Sequence, residues 1–167
     1  RASTAKVDVR QVITDTARLL QNSSELSDAH EIAVSVPDGE VAYHADEGQI
    51  RQVVWNLATN GLRAMPNGGR LRLSAETVES EGGGEVVIAV EDQGVGIPPE
   101  DLDGIFQPFR GAFIRGTGLG LSIVHRIVSD YGGEVRVTST PGRGTTVAVR
   151  LPLVPSPAAA RLSLRNA

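Results

Sequence analysis

Apolar residues recur at helical spacing in three parts of the chain. Residues 9–21 carry them among polar neighbours with a period near 3.6, which predicts a first helix. A second pattern runs from residue 50 to residue 65. Asp46 is placed to cap this helix, and the turn-forming run Pro66-Asn67-Gly68-Gly69 ends it. Residues 119–131 predict a third helix.

Other stretches alternate between apolar and polar residues or are short apolar runs, and both patterns predict β-strands. These stretches are residues 31–36, 41–44, 70–75, 85–90, 134–139 and 145–151. A turn or loop separates the members of each consecutive pair, so we expect three hairpins. In the first, the run Pro37-Asp38-Gly39 joins residues 31–36 to residues 41–44.

The order of helices and strands is mixed. It predicts an α/β fold, a two-layer sandwich in which helices cover one face of a single, largely antiparallel sheet. The glycine- and proline-rich stretch at residues 94–120 is too long for a simple connection, so we expect a functional lid there. Residues 154–167 show no apolar stripe and are expected to be a tail or linker. Residues 1–153 would then form one domain.

The composition is that of an ordinary globular protein, with 40% apolar and 22% charged residues. A net charge of -4 gives no support to nucleic-acid or polybasic membrane binding. The absence of cysteine excludes disulfides and thiolate metal sites, and it is compatible with a reducing cytoplasm. No apolar run approaches the roughly 20 residues that cross a bilayer. Because the chain starts at Arg1, we expect it to be a fragment of a longer protein, and we expect the fragment to be cytoplasmic. Whether the parent protein is anchored in the inner membrane stays open.

Five short motifs follow one another in a fixed order. They are residues 56–63, 92–97, 106–109, 116–121 and 144–146. One glycine-rich motif alone is a weak signal, because such segments are often plain turns. The ordered set resembles the Bergerat-type ATP-binding fold that sensor histidine kinases, DNA gyrase B subunits, mismatch-repair ATPases and heat-shock chaperone ATPases share. The resemblance covers about residues 7 to 153.

Polar side chains of the first motif fall on one face of the second predicted helix. Asn56 and Asn60 are one turn apart, and Arg63 follows three residues later. The resemblance implies that Asn60 gives an amide oxygen to Mg²⁺ and that Arg63 contacts phosphate. Gyrase-like relatives have a water-activating glutamate where this chain has Asn56, and an amide is no general base. The alternative is a merely solvated helix face.

The second motif begins where an apolar strand ends. Gly94 and Gly96 lack side chains that would block a ligand beside Asp92. The resemblance implies that Asp92 accepts a hydrogen bond from the adenine amine, with Ile97 in the same motif. Thr145 would assist through its hydroxyl group and a water molecule. The alternative is an aspartate in an ordinary β-turn.

The lid and the helix after it complete the expected nucleotide site. Three glycines before a helix allow backbone N–H groups to approach phosphates at its N-terminus. Their spacing matches neither a Walker A loop nor a Rossmann fingerprint. From this part of the chain, the residues expected at the nucleotide are Phe109, Arg115, Gly116, Thr117, Gly118, Leu119, Gly120 and Leu121.

The resemblance implies the ATP-binding catalytic domain of a two-component sensor histidine kinase, most like the nitrogen-regulation type. It would use Mg-ATP to phosphorylate a histidine on a separate helical dimerisation domain, with a response regulator as an indirect partner. His30, His44 and His125 lack the sequence setting of a phospho-acceptor or a metal site. Two alternatives stay open, a serine-protein kinase of the anti-sigma type and a non-catalytic nucleotide-sensing module. Neither nucleic acid nor a membrane is expected as a direct partner.

Overall fold

The structure of the chain is a computed structural model that describes residues 3–104 and 117–153; of residues 103, 104 and 117–120 it describes the backbone alone. In chain order the elements are β1 (Ala5–Asp8), α1 (Val9–Gln21), β2 (His30–Ser35), β3 (Ala42–Ala45), α2 (Glu47–Arg63), β4 (Gly69–Val78), β5 (Glu85–Glu91), a short 3-10 helix (Pro99–Gly104), α3 (Thr117–Asp130), β6 (Glu134–Thr140) and β7 (Gly144–Pro152). The predicted tail at residues 154–167 lies outside the described residues.

A five-stranded sheet has the order β2-β4-β5-β7-β6. β2 runs parallel to β4, and the other three pairs are antiparallel. The hairpins β4–β5 and β6–β7 are therefore confirmed. Along β4, Leu71 and Leu73 are buried while Arg70 and Arg72 are exposed, as expected for a strand with one covered face.

The hairpin predicted between residues 31–36 and 41–44 is wrong. β2 pairs with β4, and β3 pairs antiparallel with β1 in a separate two-stranded sheet. Hydrogen bonds to the junction of β1 and α1 hold the segment that follows the turn at residues 37–39. Val41 N donates to Asp8 Oδ1 at 3.2 Å, and Val9 N donates to Val41 O at 2.7 Å. These bonds direct β3 to β1, a strand of four residues that the sequence pattern did not predict.

Three helices supply the second layer, and the core lies between them and the sheet. Both of the first two helices begin at a capping aspartate: Asp8 accepts from Arg10 N at 3.1 Å, and Asp46 accepts from Gln49 N at 3.1 Å. α1 buries one stripe of residues at helical spacing, namely Val9, Val12, Ile13, Thr16 and Leu20. The predicted two-layer α/β fold is confirmed. Within the described ranges, no helix is long and apolar enough to cross a membrane.

Candidate functional site

A cavity of about 320 Å³ opens between α2, the residues that follow β5, and the start of β7. This volume is that of a small-molecule site, and most of the wall is apolar. Its lining residues are Leu57, Asn60, Gly61, Ala64, Val90, Asp92, Val95, Gly96, Ile97, Pro98, Asp101, Leu121, Thr145 and Val147. The cavity therefore unites residues from the first, second, fourth and fifth sequence motifs.

The two carboxylate oxygens of Asp92 have different surroundings. Oδ1 accepts from Gly94 N at 2.8 Å and from Thr145 N at 3.2 Å, and Asp92 N donates to Thr145 O at 2.9 Å. Oδ2 has no hydrogen bond among the described residues, and it would lie 3.7 Å from a Cβ built on Gly61 of α2. One oxygen is fixed by backbone N–H groups, and the other is left for a ligand that donates a hydrogen bond.

Burial raises the pKa of Asp92, although the N–H groups of Gly94 and Thr145 act in the opposite direction; the nearby charge of Glu91 raises it further. The ionised carboxylate therefore carries a desolvation cost that two backbone donors do not remove. A carboxyl group with a perturbed pKa in a cavity is typical of a functional site.

Gly94 and Gly96 permit close approach within the protein itself. A Cβ on Gly94 would lie 2.3 Å from Ala64 O, at the end of α2. Gly96 has a φ of 75°, in the left-handed region, and a Cβ there would lie 2.4 Å from Thr140 O. In both cases the nearest atom is a backbone atom. The turn that contains the two glycines is therefore packed tightly between the end of α2 on one side and the β6–β7 turn on the other. Gly96 lines the cavity, whereas Gly94 holds Asp92 Oδ1.

Asn60 is the polar residue that α2 contributes to the cavity wall. Its Nδ2 atom is buried and has no hydrogen-bond partner among the described residues. A buried side-chain NH₂ group without a protein partner is unusual, and it fits a donor that pairs with an acceptor on a ligand, such as a phosphate oxygen. Among the described residues, no group of three or more His, Asp or Glu side chains could hold a metal ion. A cation at Asn60 would need further ligands from a bound phosphate or from water.

The structure does not bring every candidate to the cavity. Asn56 is half-buried outside its wall, and Arg63 is exposed and pairs with Glu25 Oε1 at 2.9 Å. Their roles stay predictions. Phe109, Arg115 and Gly116 lie outside the described residues.

The glycine box before the third helix is described only in part. The first turn of α3 contains residues whose backbone alone is described, Thr117, Gly118, Leu119 and Gly120. Leu121, the next residue, is buried and lines the cavity.

Several lining residues were missed by the sequence reasoning. Gly61 and Ala64 lie one residue and four residues after Asn60, so helical spacing could have placed them on the same wall. Val90 and Val147 alternate with neighbours in strands, and that pattern also fits ordinary core positions. Asp101, in the short 3-10 helix, carries no sequence signal that distinguishes it from a solvated residue.

A family model described as histidine kinase-, DNA gyrase B-, and HSP90-like ATPase matches residues 45–155, which include every described residue of the cavity wall. The chain belongs to this family. It is 38% identical over 155 residues to the histidine protein kinase DivJ of Caulobacter vibrioides, with 90% of this chain and 25% of that protein covered. It is 35% identical over 150 residues to the sensor histidine kinase ZraS of Escherichia coli, with 88% and 30% covered.

Solved structures of histidine kinases share the fold. Full-length ShkA in complex with AMPPNP has a TM-score of 0.78 and 31% identity, over 93% of this chain and 32% of that one. The mycobacterial sensor histidine kinase MprB has a TM-score of 0.74 and 28% identity, over 92% of this chain and 100% of that one. The chain thus spans about a quarter to a third of the curated relatives DivJ and ZraS, and it corresponds to a histidine kinase ATP-binding domain.

Proposed function

We propose that this domain binds Mg-ATP and transfers the γ-phosphate to a histidine on a separate helical dimerisation domain of a two-component sensor kinase. The observation that carries the proposal is the cavity itself. It combines apolar walls with two polar groups that lack a partner among the described residues, the Asp92 Oδ2 atom and the side-chain NH₂ group of Asn60, in a member of a family of ATPases. The response regulator would be an indirect partner.

The adenine ring would occupy the apolar part of the cavity. Ile97, Val90 and Val147 offer a dry surface to a flat base, and Asp92 Oδ2 can accept a hydrogen bond from its exocyclic amine. The buried hydroxyl group of Thr145 lies beside the same carboxylate, because Thr145 N donates to Asp92 Oδ1. The base end of the cavity is therefore built to recognise a hydrogen-bond donor.

The phosphates would lie on the Asn60 side, toward the start of α3, where the glycine box brings backbone N–H groups. The side-chain oxygen of Asn60 fits a hard cation such as Mg²⁺, which supplies charge neutralisation when bound. Arg63 would contact phosphate only after leaving Glu25. Asn56 cannot take a proton from water, so the residues of α2 favour positioning of the nucleotide over its hydrolysis.

The nitrogen-regulation subtype and a cytoplasmic location belong to this proposal. The subtype rests on the run of residues 60–69, which resembles that type of kinase. The location rests on the absence of cysteine and of any long apolar segment in the sequence.

Radiolabel transfer tests the proposal. The chain is incubated with γ-labelled ATP and Mg²⁺, alone and together with the proposed helical dimerisation domain of its parent kinase, and the label is analysed for stability to acid and base. We expect no label on the chain alone and an acid-labile, base-stable label on the helical domain. Acid-stable label on a serine would favour a serine-protein kinase. ATP binding without transfer would favour a nucleotide-sensing module, and either result overturns histidine transfer.

A further inference from the structure

Ser139, on β6, joins three parts of the site without lining the cavity. Its Oγ atom accepts from Ile97 N at 2.7 Å, lies 3.1 Å from Gly144 O, and lies 2.9 Å from Thr145 Oγ1. Ile97 and Thr145 both line the cavity. One half-buried hydroxyl group thus connects the glycine turn, the β6–β7 turn and the wall beside Asp92.

The number of hydrogens decides how this network is arranged. A serine hydroxyl has one hydrogen, a backbone carbonyl only accepts, and a backbone N–H only donates. If Ser139 donates to Gly144 O, Thr145 donates to Ser139, and all three contacts are hydrogen bonds. If Ser139 donates to Thr145 instead, its contact with Gly144 O has no hydrogen. Because buried polar groups are nearly always paired, the first arrangement is favoured.

In the first arrangement the hydrogen of Thr145 is used inside the protein. Its Oγ1 atom then presents only lone pairs to the cavity, whose wall also holds Asp92, with an Oδ2 atom that has no partner among the described residues. Both polar groups at this end of the cavity are acceptors. An exocyclic amine supplies hydrogens to such an edge, directly or through water, whereas a carbonyl oxygen at the same place would face two acceptors.

We propose that Ser139 is a positioning residue for base selectivity: it takes the hydroxyl hydrogen of Thr145, so that the site accepts 6-amino purines and disfavours 6-oxo purines. This inference rests on the proposed function, since it assumes a purine nucleotide in the cavity. Without Ser139, the Thr145 hydroxyl group can rotate and donate into the cavity. The 6-oxo purine then regains a partner.

Calorimetric binding of ATP and of inosine triphosphate, which carries a 6-oxo group, tests this role. The measured quantity is the dissociation constant of inosine triphosphate divided by that of ATP. In Ser139→Ala this ratio should fall by about fivefold, which corresponds to one neutral hydrogen bond. Ser139→Thr keeps the hydroxyl group on a side chain suited to a strand, so it should restore the wild-type ratio. Ser74→Ala is the matched control, because Ser74 is a half-buried serine on β4 away from the cavity, and it should leave the ratio unchanged.

Equal weakening of both nucleotides by Ser139→Ala, with the ratio unchanged, would indicate a structural role and overturn the inference. If that variant does not fold, Thr145→Val keeps the test. It removes the accepting oxygen at almost constant shape and should also lower the ratio; an unchanged ratio again overturns the inference. A wild-type domain that does not bind ATP would instead refute the proposed function, so the two failures are distinguishable.

Discussion

At Asp92, the same two features that hold the side chain also make it available to a ligand. The backbone N–H groups of Gly94 and Thr145 fix Oδ1, and Oδ2 has no partner among the described residues. Burial disfavours the ionised carboxylate and so raises its pKa. A ligand that donates to Oδ2 offsets part of this cost, so binding energy is concentrated at one atom.

Asp92→Asn separates the two oxygens, because the amide oxygen can still accept from the backbone while the amide nitrogen cannot accept from a ligand. We expect ATP affinity to fall by about tenfold or more, since a hydrogen bond to a charged group contributes about 1.5–3 kcal/mol. The fold should remain intact at neutral pH. Calorimetry measures the affinity, and Asp38→Asn, in an exposed turn, is the control. Unchanged ATP binding would exclude Asp92 from the base contact.

The same variant tests the raised pKa of Asp92 through the pH dependence of stability. Below the ordinary aspartate pKa of about 3.9, Asp92 is protonated in both states and carries no penalty. As the pH rises through its higher folded pKa, the folded state pays for ionisation and this contribution to stability is lost. The free energy of unfolding of the wild type minus that of Asp92→Asn should therefore decrease from acid to neutral pH in urea titrations. A difference that increases with pH would contradict the assigned direction.

At the scale of elements, the turn after β5 packs directly against the end of α2. Val95 N donates to Ala64 O at 3.2 Å, and Gly94 leaves no room for a Cβ atom against the same carbonyl. The position of Asp92 depends on this contact, because Gly94 N is one of its two donors.

Gly94→Ala should therefore destabilise the domain and weaken ATP binding together. The added Cβ would stand 2.3 Å from Ala64 O, and backbone cannot move aside as a flexible side chain does. Overpacking of this kind costs about 1–3 kcal/mol. Urea denaturation and ATP titration check both effects. Gly82→Ala, in the β4–β5 loop, has no atom within 4 Å of the added Cβ and should be close to neutral. Wild-type stability in Gly94→Ala would refute this tight packing.

Local patterns predicted the elements well and their partners less well. The predicted bounds of α1, residues 9–21, agree with the observed helix. The β6–β7 hairpin follows from a short turn between two strands, and the β4–β5 hairpin from a polar, glycine-rich loop. Alternation identifies β2 and β3 as strands, but it does not say which strands they join. The partner of β3 depends on hydrogen bonds of Val41 to a distant junction, which no local pattern contains.

The site follows the same division. Asp92 and Asn60 were predicted from the ordered motifs and the family resemblance they carry, and the structure places both in the cavity wall, while their roles stay predictions. Ser139 was not recognised, because on β6 it looks like any polar residue of an alternating strand. Its importance arises only when folding brings it within hydrogen-bond distance of Ile97 and Thr145.

On the scale of the whole molecule, two tyrosines that do not line the cavity tie several elements together. The rings of Tyr43 and Tyr131 meet edge to face with centroids 5.9 Å apart. Tyr131 donates to Gln49 Oε1 at 2.6 Å and accepts from Asp46 N at 3.0 Å, and Tyr43 donates to Pro152 O at 3.2 Å. Burial also raises the pKa of Tyr43 to about 12. This cluster joins β3, the start of α2, the end of α3 and the end of β7.

Tyr131→Phe should lower stability without changing the nucleotide site. The variant keeps the ring contact but leaves Asp46 N and Gln49 Oε1 without their partner, which costs about 1–3 kcal/mol for partly buried groups. Tyr43→Phe, the matched control, loses one hydrogen bond and should cost about 1 kcal/mol. Neither tyrosine lines the cavity, and separate sites add nearly independently, so the ATP dissociation constant should stay within about twofold of wild type. Urea denaturation and calorimetry measure the two quantities. If ATP affinity falls in step with stability, the tyrosine cluster and the cavity are coupled, and the separation of packing from recognition in this domain is wrong.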